Sequence, residues 1–339
     1  MKILKPKTFG MGVRLASLGV QLGAEKIDNA RLQALGYPAP PEKVERLTGI
    51  QTRYHVRNES TAALAVRASR KAMQAAGISP MELEQLIVSS SSPEQLIPTL
   101  ASRVHAGLEL PECPAHSISA SCSGFLFALD IATRAVLTGT SQALVCSAET
   151  RSRQVDIQDH STGALFGDAA GAAIIQPGPV DEGLLAIGIG SRSSGQDTVV
   201  LGCGREDRLQ MKDGARVYFE AVEGMMRVGQ GLLESQGLSW KDIDLVIPHQ
   251  ANGRILKRFC WLAEFPEQKA FSNLQDVGNT SSASIPVAMH QALQTRIEPG
   301  QLILLIAVGA GFTAGAALIR VDKALVQTIR QDTTQRVDG

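Results

Sequence analysis

The sequence has no excess of charge of either sign and few aromatic residues. Its 339 residues contain 33 Lys and Arg against 33 Asp and Glu, which leaves a formal net charge of zero, and only 2 Trp, 3 Tyr and 9 Phe. A neutral chain has no overall field to attract a polyanion, and so few rings provide no platform for stacked bases. Both absences argue against nucleic acid as a partner, and a charged partner must be bound by a local patch.

Long apolar segments and paired cysteines are also missing. No apolar segment of signal-peptide length follows the N-terminal lysines, because Arg14 interrupts it. The longest apolar run, Leu302–Phe312, has 11 residues, against about 18 for a membrane span. The five cysteines form no CxxC pair, which argues against a disulfide framework and a cysteine-rich zinc site. We therefore expect a soluble, cytoplasmic protein with no membrane partner and no metal.

Apolar runs alternate with helical patterns along the chain. At roughly 150 residues per domain, the length suggests about two domains. The apolar runs are continuous, as in strands that are covered on both faces: Gln85–Ser92, Ala143–Ala148, Ala169–Gln176, Leu245–Pro248, Leu302–Val308 and Gly315–Val321. The helical patterns are Ser60–Ala76, Gly124–Leu137, Ala221–Ser235 and Ile285–Gln294. Their alternation predicts an α/β fold in layers around largely buried sheets.

One segment of the chain repeats at an offset of 160 residues. Gly77-Ile78-Ser79 recurs as Gly237-Leu238-Ser239, and Glu82-Leu83-Glu84 recurs as Asp242-Ile243-Asp244. The same offset aligns Cys122 with a serine, and each of the two precedes a helical pattern. This self-similarity indicates a duplication, in which two similar halves each deliver a loop to one active site.

The duplication sets the domain boundaries that we expect. Residues 1–178 form the N-terminal half, which carries the candidate nucleophile, and residues 179–322 form the C-terminal half, which carries a His and an Asn discussed below. The remaining segment, 323–339, is charged, rich in Gln and without apolar periodicity, so we expect a frayed polar tail.

Cys122 is a candidate nucleophile. It lies in the small-residue run Ser119–Gly124, immediately before a helical pattern. The positive end of a helix dipole and the free N–H groups there favour a thiolate, and small neighbours leave room for a substrate. A lone cysteine is more often a small buried hydrophobic residue, so the assignment depends on further residues.

Two more polar residues lie at turns beside apolar segments. His249 directly follows the run Leu245–Pro248, which places its imidazole at the carboxyl end of a strand, where sites of α/β folds form. Asn279 precedes a helical pattern, and taken alone it is simply a turn or N-cap residue. A Cys with a distant His and Asn is, however, an arrangement used in thioester chemistry.

Six segments, in this order and spacing, resemble the signatures of the β-ketoacyl-acyl carrier protein synthase III family. They are Leu47–Ile50, Ser121–Gly124, Phe166–Ala172, His249–Asn252, Gly278–Ser281 and Gly309–Thr313. The resemblance covers about residues 10–322. It implies a thiolase fold, with duplicated α/β halves in a layered α-β-α-β-α arrangement, and a homodimer.

The resemblance also implies an acyltransferase of EC class 2.3.1 with Cys122, His249 and Asn279 as catalytic residues. Cys122 would take up an acyl group while the backbone N–H groups of Cys122 and Ala310 bind the oxyanion. His249 and Asn279 would stabilise the enolate formed when a malonyl thioester on acyl carrier protein loses carbon dioxide. The substrates would be thioesters of acyl carrier protein or coenzyme A, with no other cofactor.

A basic triplet follows His249. Arg254, Lys257 and Arg258 are spaced i, i+3 and i+4, so in a helix they would form one face. Such a face is usually only solvated. The resemblance implies that it is a docking site for the acidic surface of acyl carrier protein.

The chain departs from the family pattern where coenzyme A binds. Lys43 occupies the position of a tryptophan that stacks on adenine, and Leu47 and His160 occupy the positions of two arginines. These changes weaken the recognition of the nucleotide. We therefore expect an acyl-carrier protein as the acyl donor and a role in specialised, fatty-acid-like or polyketide metabolism.

The predicted acyl pocket contains Ile97, Val308 and Phe312. Val308 replaces an aromatic residue of the family. Ile97 aligns with a phenylalanine that reaches across the dimer, and its smaller side chain would admit a longer acyl group. Ala310 replaces a glycine and keeps its N–H but tolerates fewer backbone angles.

Two other functions remain open. The enzyme could move the acyl group from Cys122 to a hydroxyl or an amine without condensation, which the change at Val308 supports. It could also be a non-catalytic partner of an active homologue, although the presence of Cys122, His249 and Asn279 argues against this.

Overall fold

The computed structural model describes residues 1–193, 195–202, 204 and 207–334. The strands are β1 (Lys2–Leu4), β2 (Gly12–Leu22), β3 (Glu25–Asp28), β4 (Thr52–His55), β5 (Gln85–Ser89), β6 (Ala115–Ile118), β7 (Ala143–Glu149), β8 (Ala169–Gly178), β9 (Gly183–Ser191), β10 (Val199–Val200), β11 (Gln210–Met211), β12 (Leu245–Pro248), β13 (Leu302–Gly309) and β14 (Thr313–Arg320). The helices are α1 (Asn29–Ala34), α2 (Pro41–Thr48), α3 (Thr61–Ala76), α4 (Leu100–Leu108), α5 (Gly124–Leu137), α6 (Gly214–Ser235), α7 (Gly253–Leu262), α8 (Leu274–Val277), α9 (Ser284–Thr295) and α10 (Lys323–Thr334).

Two five-stranded sheets share the order of four of their strands. In the first sheet, β2-β8-β7-β5-β6, strand β5 is parallel to β6 and β7, and β8 is antiparallel to β2 and β7. In the second sheet, β1-β9-β14-β13-β12, strand β12 is parallel to β13, and β14 is antiparallel to β13 and β9. The strands β2, β8, β7 and β5 therefore correspond to β9, β14, β13 and β12.

The sheets and helices form five layers. Helices α5 and α9 pack between the two sheets, α3 and α4 cover the outer face of the first sheet, and α6 and α7 cover that of the second. Neighbouring residues on a strand face different layers: Val145 of β7 packs with the central helices, whereas Leu144 and Cys146 pack with α3 and α4. Because both faces are buried, the strands are apolar without alternation. The predicted layered arrangement of two similar halves is confirmed.

The 160-residue repeat extends to hydrogen bonds in the turns. Ser79 and Ser239 each begin a 3-10 turn that is closed by a capping box, with Glu82 and Asp242 respectively. The backbone N–H of each serine donates to the carboxylate, at 2.7 Å and 2.8 Å. The repeated segments are therefore two copies of one structural unit. The first copy leads into β5 and the second into β12.

The expectation of a frayed polar tail over residues 323–339 is wrong for residues 323–334, and residues 335–339 lie outside the described part of the chain. Residues 323–334 form α10, in which Leu325, Val326 and Ile329 are buried against the central layer. Their spacing puts them on one face of the helix, which packs against α9. The three apolar residues of this face are buried. The polar residues of the other face outnumber them, which is why the composition of the segment predicts a polar tail.

The first residues also depart from the predicted halves. Strand β1 pairs antiparallel with β9, so that Lys2 lies opposite Ile189 and Leu4 opposite Ile187. These residues therefore belong to the second sheet, although they precede the first half in sequence. The chain crosses from one sheet to the other between the end of β8 at Gly178 and the start of β9.

We expect Ile329→Ala to lower the free energy of unfolding by about 2–4 kcal/mol, because the fully buried side chain leaves a cavity. Gln327→Ala, on the exposed face of the same helix, should change it by less than about 0.5 kcal/mol. Denaturant unfolding followed by circular dichroism measures both values. Equal effects of the two substitutions would contradict the placement of α10 in the core.

Candidate active site

Cys122 lies at the N-terminus of a central helix, as predicted. Its 3-10 turn, Ser121–Ser123, leads directly into α5. Ser121 has a left-handed backbone with φ 48°, and the equivalent Ser281, with φ 51°, begins the turn Ser281–Ala283 ahead of α9. The two turns contact each other. The duplication thus brings one loop from each half to the same place.

The end of β13 packs against Cys122 through Gly309, just before the turn that leads to β14. A Cβ at this position would lie 2.8 Å from the backbone nitrogen of Cys122 and 2.9 Å from the backbone oxygen of Ala120. Only glycine permits such a close approach. Ala310, the next residue, lines the cavity that contains Cys122, so the two N–H groups predicted to bind an oxyanion belong to adjoining turns.

His249 is buried and neutral. Its backbone N–H donates to the carbonyl of Ile306 at 2.8 Å, which ties it to β13. Nδ1 of the ring lies 2.6 Å from Oγ of Ser284, the first residue of α9. Burial lowers the pKa of His249 to about 4. With Nδ1 engaged by Ser284, Nε2 is the ring nitrogen that is available to a ligand in the cavity.

The carboxamide of Asn279 is oriented by the turn that contains it. Its Oδ1 accepts a hydrogen bond from the backbone N–H of Ser281 at 2.9 Å. The Asn279 backbone is held as well, since its N–H donates to Leu165 at 2.9 Å and its carbonyl accepts from Gly167 at 3.0 Å. Because the oxygen of the amide is occupied, Nδ2 remains as a donor to a ligand.

The three predicted catalytic residues line one cavity of about 740 Å³: Cys122, His249 and Asn279. Residues predicted to bind the oxyanion and the acyl group line the same cavity: Ala310, Val308 and Phe312. Ile97 does not line it; its side chain is 88 % exposed on the surface of the chain. Its reach across a dimer therefore stays a prediction.

Burial governs the ionisation of the thiol. Burial raises the pKa of Cys122, and the negative charge of Glu149 raises it further. The positive charge of Arg151 and the hydrogen bond with Ser281 lower it, but by less. The helix N-terminus favours a thiolate, as the sequence predicts, but the loss of hydration outweighs it and raises the pKa of the Cys122 thiol overall. Cys122 is a neutral thiol at pH 7 and must lose its proton as it reacts.

The sequence did not predict a buried ion pair beside the nucleophile. Glu149, the last residue of β7, is fully buried, and its carboxylate lies 3.7 Å from Nε of Arg151. It accepts hydrogen bonds from Ser92, Ser282 and Ser281 at 2.5, 2.6 and 3.3 Å. The available signal was a glutamate at the end of an otherwise apolar strand, since a buried carboxylate requires partners.

Helices α2 and α7 lie together at the mouth of the cavity. A Cβ on Gly253, the first residue of α7, would lie 3.3 Å from the backbone oxygen of Thr48. Lys43, Leu47 and His160, the three residues that depart from the family pattern, line the cavity on this side. The changed residues are thus in a position to contact an incoming donor.

Helix α7 presents the predicted basic face. Arg254, Lys257 and Arg258 are all exposed, while the opposite side of the helix is buried. The guanidinium of Arg258 lies 4.2 Å from the ring centre of Trp261, whose side chain is also exposed. Arg254 lines the cavity as well, so the basic face continues to the mouth.

No group of three or more His, Cys, Asp or Glu side chains in the described part of the chain is arranged to hold a metal ion. Over the same residues, no helix combines the length and the apolar character that crossing a membrane requires.

Comparisons with known proteins point to one family. Residues 117–193 match the family model of 3-oxoacyl-[acyl-carrier-protein (ACP)] synthase III, and residues 233–321 match the model of its C-terminal part. The β-ketoacyl-[acyl-carrier-protein] synthase III of Aquifex aeolicus (strain VF5) is 36% identical over 313 residues, which cover 91% of this chain and 100% of that protein.

Solved structures agree with the sequence comparison. The crystal structure of 3-oxoacyl-[acyl-carrier-protein] synthase III from Aquifex aeolicus VF5 superposes with a TM-score of 0.87 at 36% identity, over 91% of this chain and 100% of that one. The priming β-ketosynthase of the R1128 polyketide biosynthetic pathway gives 0.86 at 28% identity, over 91% and 96%. The chain therefore belongs to the β-ketoacyl-acyl carrier protein synthase III family of condensing enzymes and has its thiolase fold.

Proposed function

We propose that the protein is a β-ketoacyl synthase III-like acyltransferase. It would load an acyl group on Cys122 and extend it by condensation with a malonyl-type thioester on acyl carrier protein. The observation that carries this proposal is the convergence of Cys122, His249 and Asn279, from three separate segments, on one cavity. Membership of the family supports both steps.

In the first step the sulfur of Cys122 attacks the carbonyl carbon of the donor thioester. A C–S bond forms at Cys122, the bond to the donor's sulfur breaks, and the thiol proton leaves with the departing thiolate. The oxyanion of the tetrahedral intermediate would accept hydrogen bonds from the N–H groups of Cys122 and Ala310. Donors that are already in position stabilise this charge most effectively where water is excluded.

In the second step the malonyl thioester loses carbon dioxide. The bond between its carboxylate and its α-carbon breaks, and the electron pair enters an enolate whose oxygen would accept hydrogen bonds from His249 and Asn279. The contacts favour donation, since Ser284 engages Nδ1 of His249 and a backbone N–H engages Oδ1 of Asn279. The enolate carbon then attacks the acyl carbonyl, and the C–S bond to Cys122 breaks. The β-ketoacyl product leaves, and the Cys122 thiolate takes up a proton from water.

We expect Cys122→Ala to abolish acylation, because the acyl acceptor is removed. His249→Ala and Asn279→Ala should still form the adduct but release carbon dioxide about 100-fold more slowly, since each loses one donor to the enolate. Intact-mass spectrometry with acyl-carrier protein measures the adduct, and labelled malonyl-carrier protein measures the release. Asn58→Ala, at an exposed site, is the control.

The same experiment separates the alternative functions. An adduct on the wild-type enzyme without release of carbon dioxide, followed by loss of the acyl group to a hydroxyl or amine, would support simple acyl transfer. A wild-type protein that forms no adduct with any acyl thioester would support a non-catalytic partner.

The acyl donor in this proposal is an acyl-carrier protein that docks on α7. The exposed charges of Arg254, Lys257 and Arg258 suit an acidic partner, and Arg254 lines the cavity itself. At the mouth of this cavity, Lys43 and Leu47 supply neither a stacking indole nor a guanidinium for a nucleotide. A weak hold on coenzyme A and the likeness to a polyketide priming ketosynthase support a role in specialised metabolism.

Charge reversal at the docking face tests the donor. Arg254→Glu with Lys257→Glu should raise the KM for acyl-carrier protein about tenfold at low salt, because like charges then face each other. The difference should shrink as salt screens the charges. Lys241→Glu, an exposed lysine outside α7, is the matched control. An unchanged KM in the double variant would exclude docking at this face.

The acyl pocket would be bounded by Val308 and Phe312. A second cavity, of about 330 Å³, adjoins the first, and these two side chains line both. Ala314 lines only the second cavity. In a homodimer, the exposed Ile97 of each chain would complete the acyl pocket of the other.

We expect Phe312→Ala to join the two cavities and to favour longer acyl groups. The ratio of adduct formation with dodecanoyl- over butanoyl-carrier protein should rise about tenfold, which corresponds to the burial of about two further methylenes at about 0.8 kcal/mol each. In Phe312→Ala/Ala314→Trp the indole would fill the second cavity and remove this gain. A ratio that does not rise in the single variant, or that persists in the double variant, would rule out this route.

A further inference from the structure

The carboxylate of Glu149 lies beside the nucleophile but takes no part in the reaction described above. Ser92 and Ser282 donate to it at 2.5 and 2.6 Å, and Arg151 lies 3.7 Å away. The bond from Ser281 is longer, at 3.3 Å. Because the carboxylate is also held by two short hydrogen bonds, a cation and the backbone N–H of Ser91 at 3.3 Å, the bond from Ser281 is the easiest of the three hydroxyl bonds to give up.

Ser281 connects this carboxylate to both halves of the site. Its Oγ lies 3.7 Å from Sγ of Cys122, and its backbone N–H donates to Oδ1 of Asn279 at 2.9 Å. A serine hydroxyl has a single proton, which it can direct to one neighbour at a time. When that proton points to Glu149, the oxygen can only accept a hydrogen bond from the thiol.

We propose that the Ser281 hydroxyl is a donor with two positions, controlled by Glu149. It donates to Glu149 while Cys122 is a thiol, and it turns to the sulfur when negative charge develops there. Glu149 is thus a positioning residue that acts on the nucleophile through Ser281. The hydroxyl only rotates: the thiol proton leaves with the departing group, and no bond at Ser281 is broken. This inference rests on the proposed role of Cys122 as nucleophile.

The electrostatics of the site favour such a device. The charged groups that act on the sulfur are Glu149, the last residue of β7, and Arg151, two residues further along the chain. His249 in the same cavity is neutral. Burial disfavours a permanent thiolate. A donor that turns to the sulfur only when it becomes anionic stabilises the reacting state without stabilising the thiol beforehand.

Alkylation of Cys122 by iodoacetamide across a range of pH tests the proposal, with the Cys122 peptide quantified by mass spectrometry. Ser281→Ala removes the donor and should slow alkylation at pH 7 about tenfold, because the thiolate loses a hydrogen bond. Glu149→Gln removes a negative charge and the competing acceptor and should accelerate it. Ser92→Ala deletes a hydroxyl from the same carboxylate without contacting the sulfur, and its effect should stay below about threefold.

Effects of opposite sign for Ser281→Ala and Glu149→Gln support the proposal. Equal effects of Ser281→Ala and Ser92→Ala would overturn it, since that result shows only a structural role. Thermal unfolding identifies loss of folding in Glu149→Gln, and in that case the comparison of the two serines decides. Alkylation requires no acyl donor and no malonyl substrate, so a failure of this proposal is distinguishable from a failure of the condensation.

Discussion

The N-termini of α5 and α9 meet between the two sheets, and the groups of the site are arranged around this contact. There is no room for a side chain at Gly124, where a Cβ would fall 2.0 Å from Oγ of Ser89. The turn before each helix holds a serine, Ser121 or Ser281, in the left-handed region, which costs about 1–3 kcal/mol for a residue other than glycine. The packing of the two halves offsets this cost. It sets the nucleophile of one half against the Asn279 turn of the other.

The removal of water from this contact explains the charges of the site. Burial keeps His249 as a neutral imidazole and Cys122 as a neutral thiol. Glu149 is buried as well but has Arg151 and three serine hydroxyls as partners, and a buried carboxylate is tolerated only with such partners. New charge arises on the substrate and the sulfur during the reaction. The donors that meet it are backbone N–H groups and side chains already held by hydrogen bonds.

Elements with a strong apolar or repeated pattern in the sequence are predictable. Elements whose burial depends on contacts with distant parts of the chain are not. The runs that form β7 and β12 are apolar in the sequence, and the 160-residue repeat alone identifies the equivalent turns. Strand β2 is not recognisable in the sequence because Arg14 and Ser17 interrupt its apolar residues. Ser17 is tolerated in the core because its hydroxyl donates a hydrogen bond to the carbonyl of Ala72 at 2.6 Å. Helix α10 is predicted as a tail because it has few apolar residues. These residues stabilise a helix only when they pack against the central layer, which the sequence does not show.

The sequence by itself determined the α/β class, the duplication and the segments that carry Cys122, His249 and Asn279, because these are matters of local pattern and spacing along the chain. The tertiary structure alone decided that the thiol is protonated and that Glu149 and Ser281 lie beside it. Cys122 and Ser281 are 159 positions apart, and Glu149 and Ser281 are 132 apart. Ionisation and hydrogen bonding depend on distance through space and on the exclusion of water, and only the packing of one half against the other sets these quantities.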